Sequence, residues 1–272
     1  MPCRIAILQN HGLTPIEHHF QSLQEAVALE PPHGVYTVAN TFHETQVLHF
    51  DAHLDRLEDS ARRANIPLML NRQTLRGALR QMIVHSGYGD VRFRISVPPD
   101  GDSLILSIGP FTPLSPEKKA QGFPFITAPN SARQQARIKA NHWMLERQKI
   151  VESLPSGVSD AILLDDDGYM LETMTANFYA VIDGKLYTAS QGILYGISRV
   201  IALEVAEGVL PIVHQPPHIH QLATLSEAFF SSSSRGIVPI NRIDGHIFSD
   251  FSITHDLMRR YDAWAKAHLQ EL

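Results

Sequence analysis

The chain predicts an α+β fold in two domains, and three observations carry that expectation. Helical periodicity is confined to a few separate stretches, chiefly 51–65, 73–86 and 250–269. Strand-like runs joined by turn residues fill 35–50, 91–109 and 160–187. Between them, PFTPLSPEKKAQG (110–122) holds three prolines and no period, which disfavours helix and central strand. The boundary is set there, giving a small N-terminal domain over 1–115 and a larger C-terminal domain over 116–272. A chain of 272 residues, 44% hydrophobic and 19% charged, supports two modest cores and argues against disorder.

In the first domain RIAIL (4–8) reads as a short strand. EHHFQSLQEAVALE (17–30) reads as a short helix stopped by Pro31 and Pro32. VYTVANTF and QVLHF flank HET and predict a hairpin. Asp51 is the expected N-cap of the next helix, with Leu54, Leu57, Ala61 and Ala64 on one face. Asn71 caps a second helix over Gln73–Ser86, and Gly87 ends it. VRFRISV (91–97), a turn at Pro98–Asp102 and SLILSIG (103–109) complete helices packed on an antiparallel sheet.

The second domain opens with strand-like FPFITAP, followed by Lys139 and a helix at roughly 142–153. DAILLDD is an apolar strand that turns at Asp167-Gly168. A strand carrying Glu172 follows, then one around Phe178–Ile182, then a hairpin turn at Asp183-Gly184. GILYGIS is a loop that opens a helix ending near Gly208. LPIVHQ reads as a strand, and EAFF and GIVPI as strands around a tight turn at Ser231–Ser234. The closing helix puts Leu257, Met258, Tyr261, Trp264 and Ala265 on its apolar side.

Composition excludes several functions. A net charge of −5 without a basic stripe argues against nucleic acid. One cysteine, Cys3, permits no intrachain disulfide and fits a reducing compartment. No apolar run approaches the ~20 residues of a membrane helix, and the first residues are too quickly polar for a signal peptide. The chain is expected to be soluble and cytoplasmic. No G-x-G-x-x-G, P-loop or G-x-S-x-G motif is present. Among fifteen histidines, His218 and His220 are read on one strand face, but no ligand pattern accompanies them and no metal is expected.

Several residues have the chemistry of an active site. Lys139, in RIKANHW, is either a solvated charge or an amine held in a polar-aromatic patch with Asn141, His142 and Trp143. A pocket that favours the neutral amine is what Schiff-base chemistry needs. Glu172 shares a strand face with Met170 and Met174. It is either an edge-strand surface carboxylate or a carboxylate facing a cofactor ring nitrogen. Asn177 is expected to hold the connecting turn through side chain–backbone bonds. In GISR, Ile197 and Ser198 open a helix whose N–H groups suit a phosphate, although Ser198 is also a good N-cap. Ser232 and Ser233 offer amides and hydroxyls to such a cup. Arg56 is a bidentate phosphate partner, or a helix-surface mate of Glu58 or Asp59.

The ordered motifs HLDRLEDSA, RIKANHW, ETMTANFYAV, GISR and EAFFSSSSRGIVPI resemble those of class IV aminotransferases over roughly residues 34–245. These are fold type IV pyridoxal-phosphate enzymes, including branched-chain and D-amino-acid aminotransferases and 4-amino-4-deoxychorismate lyase. The resemblance implies a small α/β N-terminal domain, a larger mixed, β-barrel-like C-terminal domain with helices, and a homodimer. It implies pyridoxal 5′-phosphate as cofactor, with Lys139 as the Schiff-base lysine and Glu172 on the pyridine nitrogen. Arg56, Ile197, Ser198 and Ser233 match the phosphate cup, with Ser232 and Asn177 beside it. Tyr36 matches a substrate-pocket aromatic, and Thr37 and Arg94 are the substrate candidates next to it. Many members carry Gly-Thr where this chain has Ser232-Ser233. Aminotransferases often carry glutamate where Thr37 stands, which is closer to the lyase pattern. The expected activity is transfer of an amino group between an amino acid and a 2-oxo acid. The alternative is the lyase, which releases pyruvate and 4-aminobenzoate from aminodeoxychorismate.

Overall fold

A computed structural model describes residues 2–10 and 12–272; Met1 and His11 lie outside the described residues. The chain divides into two units. One comprises Met1–Pro113, Ile138–Met144 and His268–Leu272, and the other Leu114–Arg137 and Leu145–Ala267.

The first unit is built on β1 (Cys3–Gln9), β2 (Gly12–Phe20), α1 (Leu23–Ala26), β3 (Val35–Phe42), β4 (Gln46–Leu48), α2 (Phe50–Arg63), α3 (Arg72–Ser86), β5 (Val91–Val97) and β6 (Leu104–Pro110). The helix expected over 17–30 is instead the end of β2, the single turn α1 and a 3-10 turn at Val27–Leu29. Pairing of β2 with β1 overrides local helix propensity, and Ser22 caps α1 by accepting from the Glu25 N–H. The HET hairpin forms as expected, with Phe42 opposite Gln46 across a three-residue loop in which His43 and Glu44 both take positive φ.

Helix α2 starts one residue before the predicted cap. His49 occupies the N-cap at φ 50°, Phe50 is fully buried, and Asp51 pairs with Arg76 at 2.8 Å. Burial of Phe50 therefore fixes the start. The α3 prediction holds: the Asn71 side chain accepts from Thr74 N–H, and Gly87 closes the helix at φ 67°. Leu54, Leu57, Leu75, Leu79 and Ile83 belong to the same buried cluster as Phe93 and Ile95 of the sheet. With a last strand at Leu269–Glu271, the sheet is antiparallel throughout, ordered from that strand through β4, β3, β5, β6 and β1 to β2.

The second unit contains α4 (Pro116–Gln121), β7 (Phe123–Ala128), most of α5 (His142–Ser153), β8 (Asp160–Leu164), β9 (Met170–Thr173), β10 (Asn177–Ile182), β11 (Lys185–Tyr187), α6 (Ile197–Ala206), β12 (Ile212–Val213), β13 (Glu227–Ser232), β14 (Gly236–Ile243), β15 (His246–Ile247) and α7 (Ser252–Ala267). Helix α4 forms in the proline-rich segment that was expected to lack one. Ser115 caps it and Pro116 sits in its first turn, where a missing N–H costs nothing. His218 and His220 lie at a 3-10 turn over Ile219–Thr224 rather than on a strand, because the His218 ring accepts from the His220 N–H.

Strands β10, β13, β14, β7, β8 and β9 pair in sequence, and β9 pairs back onto β10. Six strands therefore close into a ring with mixed parallel and antiparallel neighbours. Phe125, Ile162, Phe178, Phe230, Val238 and Ile240 form one buried cluster of this sheet. The alternate residues Tyr179 and Phe229 project to its other face and stack at 4.6 Å. No helix of the described residues is long and apolar enough to cross a membrane.

Candidate active site

In the first unit the chemistry collects around Tyr36, the second residue of β3. The segment carrying Lys139 runs antiparallel to the start of that strand. Tyr36 N–H donates to Lys139 O, Asn141 N–H donates to Gly34 O, both at 2.9 Å, and Val35 bridges Ala140. This pairing sets the lysine against the tyrosine, with Nζ 4.7 Å from the Tyr36 ring centroid. Lys139 is half-buried, and its own N–H donates to Ser60 Oγ of α2 at 3.3 Å.

Arg94 approaches the same ring, with its guanidinium 3.4 Å from the centroid. Its donors are engaged inside the protein. Nε reaches the two Glu30 oxygens at 2.6 and 2.8 Å, and Nη2 reaches Glu30 at 2.5 Å and Asn141 Oδ1 at 2.9 Å. Asn141 in turn donates to Pro31 O and Ser96 Oγ. Arg94 thus ties the Lys139 segment, the Tyr36 ring and Glu30 together. The ion pair is almost fully buried, so removing one partner strands a charge. We expect Glu30→Ala to cost about 3–5 kcal/mol in chemical denaturation. Replacing both partners with apolar residues should recover most of that loss. A cost near that of an exposed pair would mean that the ion pair does not hold the segment.

Thr37 is fully buried and joins two groups of α2. Arg56 Nη2 donates to Thr37 Oγ1 at 3.1 Å, and Oγ1 lies 3.0 Å from His53 Nδ1. His53 is held well below the ordinary histidine pKa, first by burial and then by the charges of Arg56, Lys139 and His49. A neutral imidazole carries one N–H and one acceptor nitrogen, so Nδ1 and the Thr37 hydroxyl share a single hydrogen while the hydroxyl oxygen receives Arg56. The surface partners considered for Arg56 are taken: Asp59 pairs with Arg62 and Arg63, and Glu58 pairs with Arg72.

In the second unit Glu172 is not on an edge. It is opposite Leu163 of β8 and Asn177 of β10, and only 3% of its surface is exposed. Its Oε2 accepts from Leu194 N–H at 3.2 Å, and Arg133 lies 3.5 Å from Oε1. Asn177 does not hold the turn before it. That turn is held by Thr173 Oγ1, which accepts from the Thr175 and Ala176 N–H groups. Asn177 instead donates to Leu194 O at 2.8 Å, so Glu172 and Asn177 clamp the loop that leads into α6.

That loop also decides where α6 begins. Gly196, not Ser198, is the N-cap, and no side chain caps the helix. A Cβ at Gly196 would collide with Asn177 Oδ1, so only glycine permits this approach. Ile197 and Ser198 are consequently the first two helical residues, where backbone N–H groups lack intrahelical acceptors and favour an anion. Ser198 is 3% exposed and receives Ser231 Oγ at 3.3 Å. Glu172, Asn177 and Ser231 are consecutive register partners across β9, β10 and β13. Ser232 ends β13, where its hydroxyl accepts from Arg235 Nε at 3.0 Å, and Ser233 follows on the turn.

The structure therefore brings Tyr36, Thr37, Arg56, Arg94 and Lys139 together in one unit. In the other it brings together Glu172, Asn177, Ile197 and Ser198; the Ser232 side chain alternates to the other face of β13 from Ser231, toward Arg235, and Ser233 lies on the turn after it. Sequence reasoning missed Glu30, His53, Arg133, Tyr179 and Ser231. Of these, only Ser231, in the serine run beside the candidate turn, carried a local signal.

Comparison with known proteins bears on this arrangement. Residues 34–243 match the family model of amino-transferase class IV. The branched-chain-amino-acid aminotransferase of Pseudomonas aeruginosa is 26% identical over 259 residues, covering 86% of this chain and 80% of that protein. The structure of a branched-chain aminotransferase from Thermoproteus uzoniensis with norvaline has a TM-score of 0.82 at 20% identity, covering 98% of this chain and 99% of that one. A branched-chain amino acid aminotransferase from T.th., solved with pyridoxamine 5′-phosphate, also reaches 0.82, at 16% identity, covering 100% and 99%. The fold is that of the fold type IV aminotransferases.

Proposed function

The chain belongs to the class IV aminotransferase family, and from that membership we propose that it uses pyridoxal 5′-phosphate to move the amino group of a branched-chain amino acid to a 2-oxo acid. The observation that carries this reading is the row Glu172–Asn177–Ser231 beside the first turn of α6. Glu172 and Ser231 are separated by two strand spacings, about 10 Å. That is a span suited to a pyridine ring with its phosphate, carboxylate at one end and hydroxyls and amides at the other. The residues present fit the group.

Bound there, the cofactor supplies a carbonyl that reacts with amines and a ring that stabilises a carbanion. The rest is the work of side chains. Lys139 Nζ would hold the cofactor between turnovers and would take the proton from the substrate Cα. Glu172 holds a proton on the ring nitrogen. The first turn of α6 at Ile197 and Ser198 would bind the phosphate, with Arg56, Ser232 and Ser233 as the further candidates for that role. Asn177 keeps the loop before α6 in place. Tyr36, its ring packed against Arg94 and beside Lys139, would stand at the substrate end of the site. Thr37 steadies Arg56, and Arg94 steadies Tyr36 and the lysine segment through its internal contacts.

Thr37 also bears on the lyase alternative. Its hydroxyl is fully buried and engaged by both Arg56 and His53, which argues against direct contact with a substrate. Mixing the holoenzyme with leucine and no acceptor should therefore release about one equivalent of the matching 2-oxo acid per site and then stop. Adding a 2-oxo acid acceptor should restart it. Failure of leucine, isoleucine and valine to give that burst, with pyruvate released from aminodeoxychorismate, would overturn the reading in favour of the lyase.

A further inference from the structure

Three hydroxyls form a chain behind the first turn of α6. Tyr179 Oη lies 2.9 Å from Ser231 Oγ, and Ser231 Oγ donates to Ser198 Oγ at 3.3 Å. Tyr179 is fully buried, Ser231 is 1% exposed and Ser198 is 3% exposed. Their placement follows from strand periodicity. Tyr179 and Ser231 are on the same face of neighbouring strands, and Phe229, directly opposite the tyrosine, stacks on its ring.

Each hydroxyl carries a single hydrogen, so the chain has a direction. If Ser231 donates to Ser198, its oxygen is left to accept, and Tyr179 must donate to it. Burial pushes the Tyr179 phenol well above its ordinary pKa, so it keeps that hydrogen at every working pH. Ser198, already receiving one hydrogen, has its own free to donate outward. We propose that Tyr179 is a positioning residue for anion binding: acting through Ser231, it fixes the polarity of the Ser198 hydroxyl so that this group donates to a phosphate monoester at the first turn of α6. This rests on the reading that the cofactor phosphate binds there. Without the tyrosine, Ser231 has no donor behind it and Ser198 is free to turn its hydrogen inward to Ser231.

The test compares the full-length chain binding pyridoxal 5′-phosphate with the same chain binding pyridoxal, which lacks the phosphate. Tyr179→Phe should weaken pyridoxal 5′-phosphate about five- to tenfold, the loss of one well-placed hydrogen bond, and leave pyridoxal affinity unchanged. Ser231→Ala breaks the same chain in the middle and should have the same effect. The double variant should lose no more than either single one, because one relay is removed once. Equal weakening of both ligands, additive losses, or no loss in either variant would overturn the relay. A wild-type chain that binds the two ligands equally would instead overturn the phosphate reading itself.

Discussion

Lys139→Ala is expected to abolish turnover and to leave no cofactor attached to the protein after borohydride reduction. In the wild-type chain, reduction followed by peptide mapping should find a single modified lysine, at 139. The sequence holds six lysines. Lys118, Lys149, Lys185 and Lys266 are exposed, and Lys119 is held by Asp262 at 2.8 Å. None of those five has the setting of Lys139, whose backbone is paired to β3 and whose amine lies against an aromatic face. Loss of the covalent carrier and of the proton-transfer group acts on the same reaction, so the fall in rate should exceed the hundred- to ten-thousandfold, roughly, typical of a general base alone. Phosphate-directed binding should persist in the variant, because Ser198 and the start of α6 are untouched. Cofactor trapped on any other lysine would refute the assignment.

The features that were legible in the sequence are those set by local chemistry. Asn71 and Gly87 bound α3 because a cap and a left-handed exit depend on neighbouring residues only. Asp183-Gly184 turns because both residue types accept positive φ, and the turn at 43–45 follows from the strand-like runs on either side of it. The features that were missed depend on contacts far apart in the chain. For Glu172 the sequence leaves an edge carboxylate and a ring-facing one open, and its burial appears only when β9 pairs with both β8 and β10. Ser198 reads as an N-cap until the approach of Asn177 to Gly196 moves the helix start two residues earlier. Glu30 and His53 look like ordinary charges beside or on a helix, and nothing local marks them. Their roles appear only when Arg94 and Thr37 arrive from neighbouring strands. The family was recognisable because the pattern is the order of residues rather than any one contact.

Glu172→Gln should retain the cofactor and lose turnover by about a hundred- to a thousandfold, the scale seen when one preorganised electrostatic contact is removed. In the proposed site the phosphate would be held at α6 rather than by Glu172, so occupancy should be nearly unchanged. A neutral amide cannot hold a proton on the ring nitrogen as a carboxylate does, so the ring becomes a poorer acceptor for the substrate carbanion. The structure adds a second consequence. Glu172 now accepts from Leu194 N–H through Oε2 and faces Arg133 through Oε1. A glutamine has one oxygen for those two donors, and its NH2 must point at one of them. A buried donor facing a donor costs about 1–3 kcal/mol, so the variant should also unfold at lower denaturant. The two effects separate with Arg133→Met, which removes the second donor. In the double variant stability should return while turnover stays low, because the ring nitrogen still faces an amide. Turnover that recovers together with stability would show that Glu172 acts by holding the loop before α6, and would remove it from the chemistry.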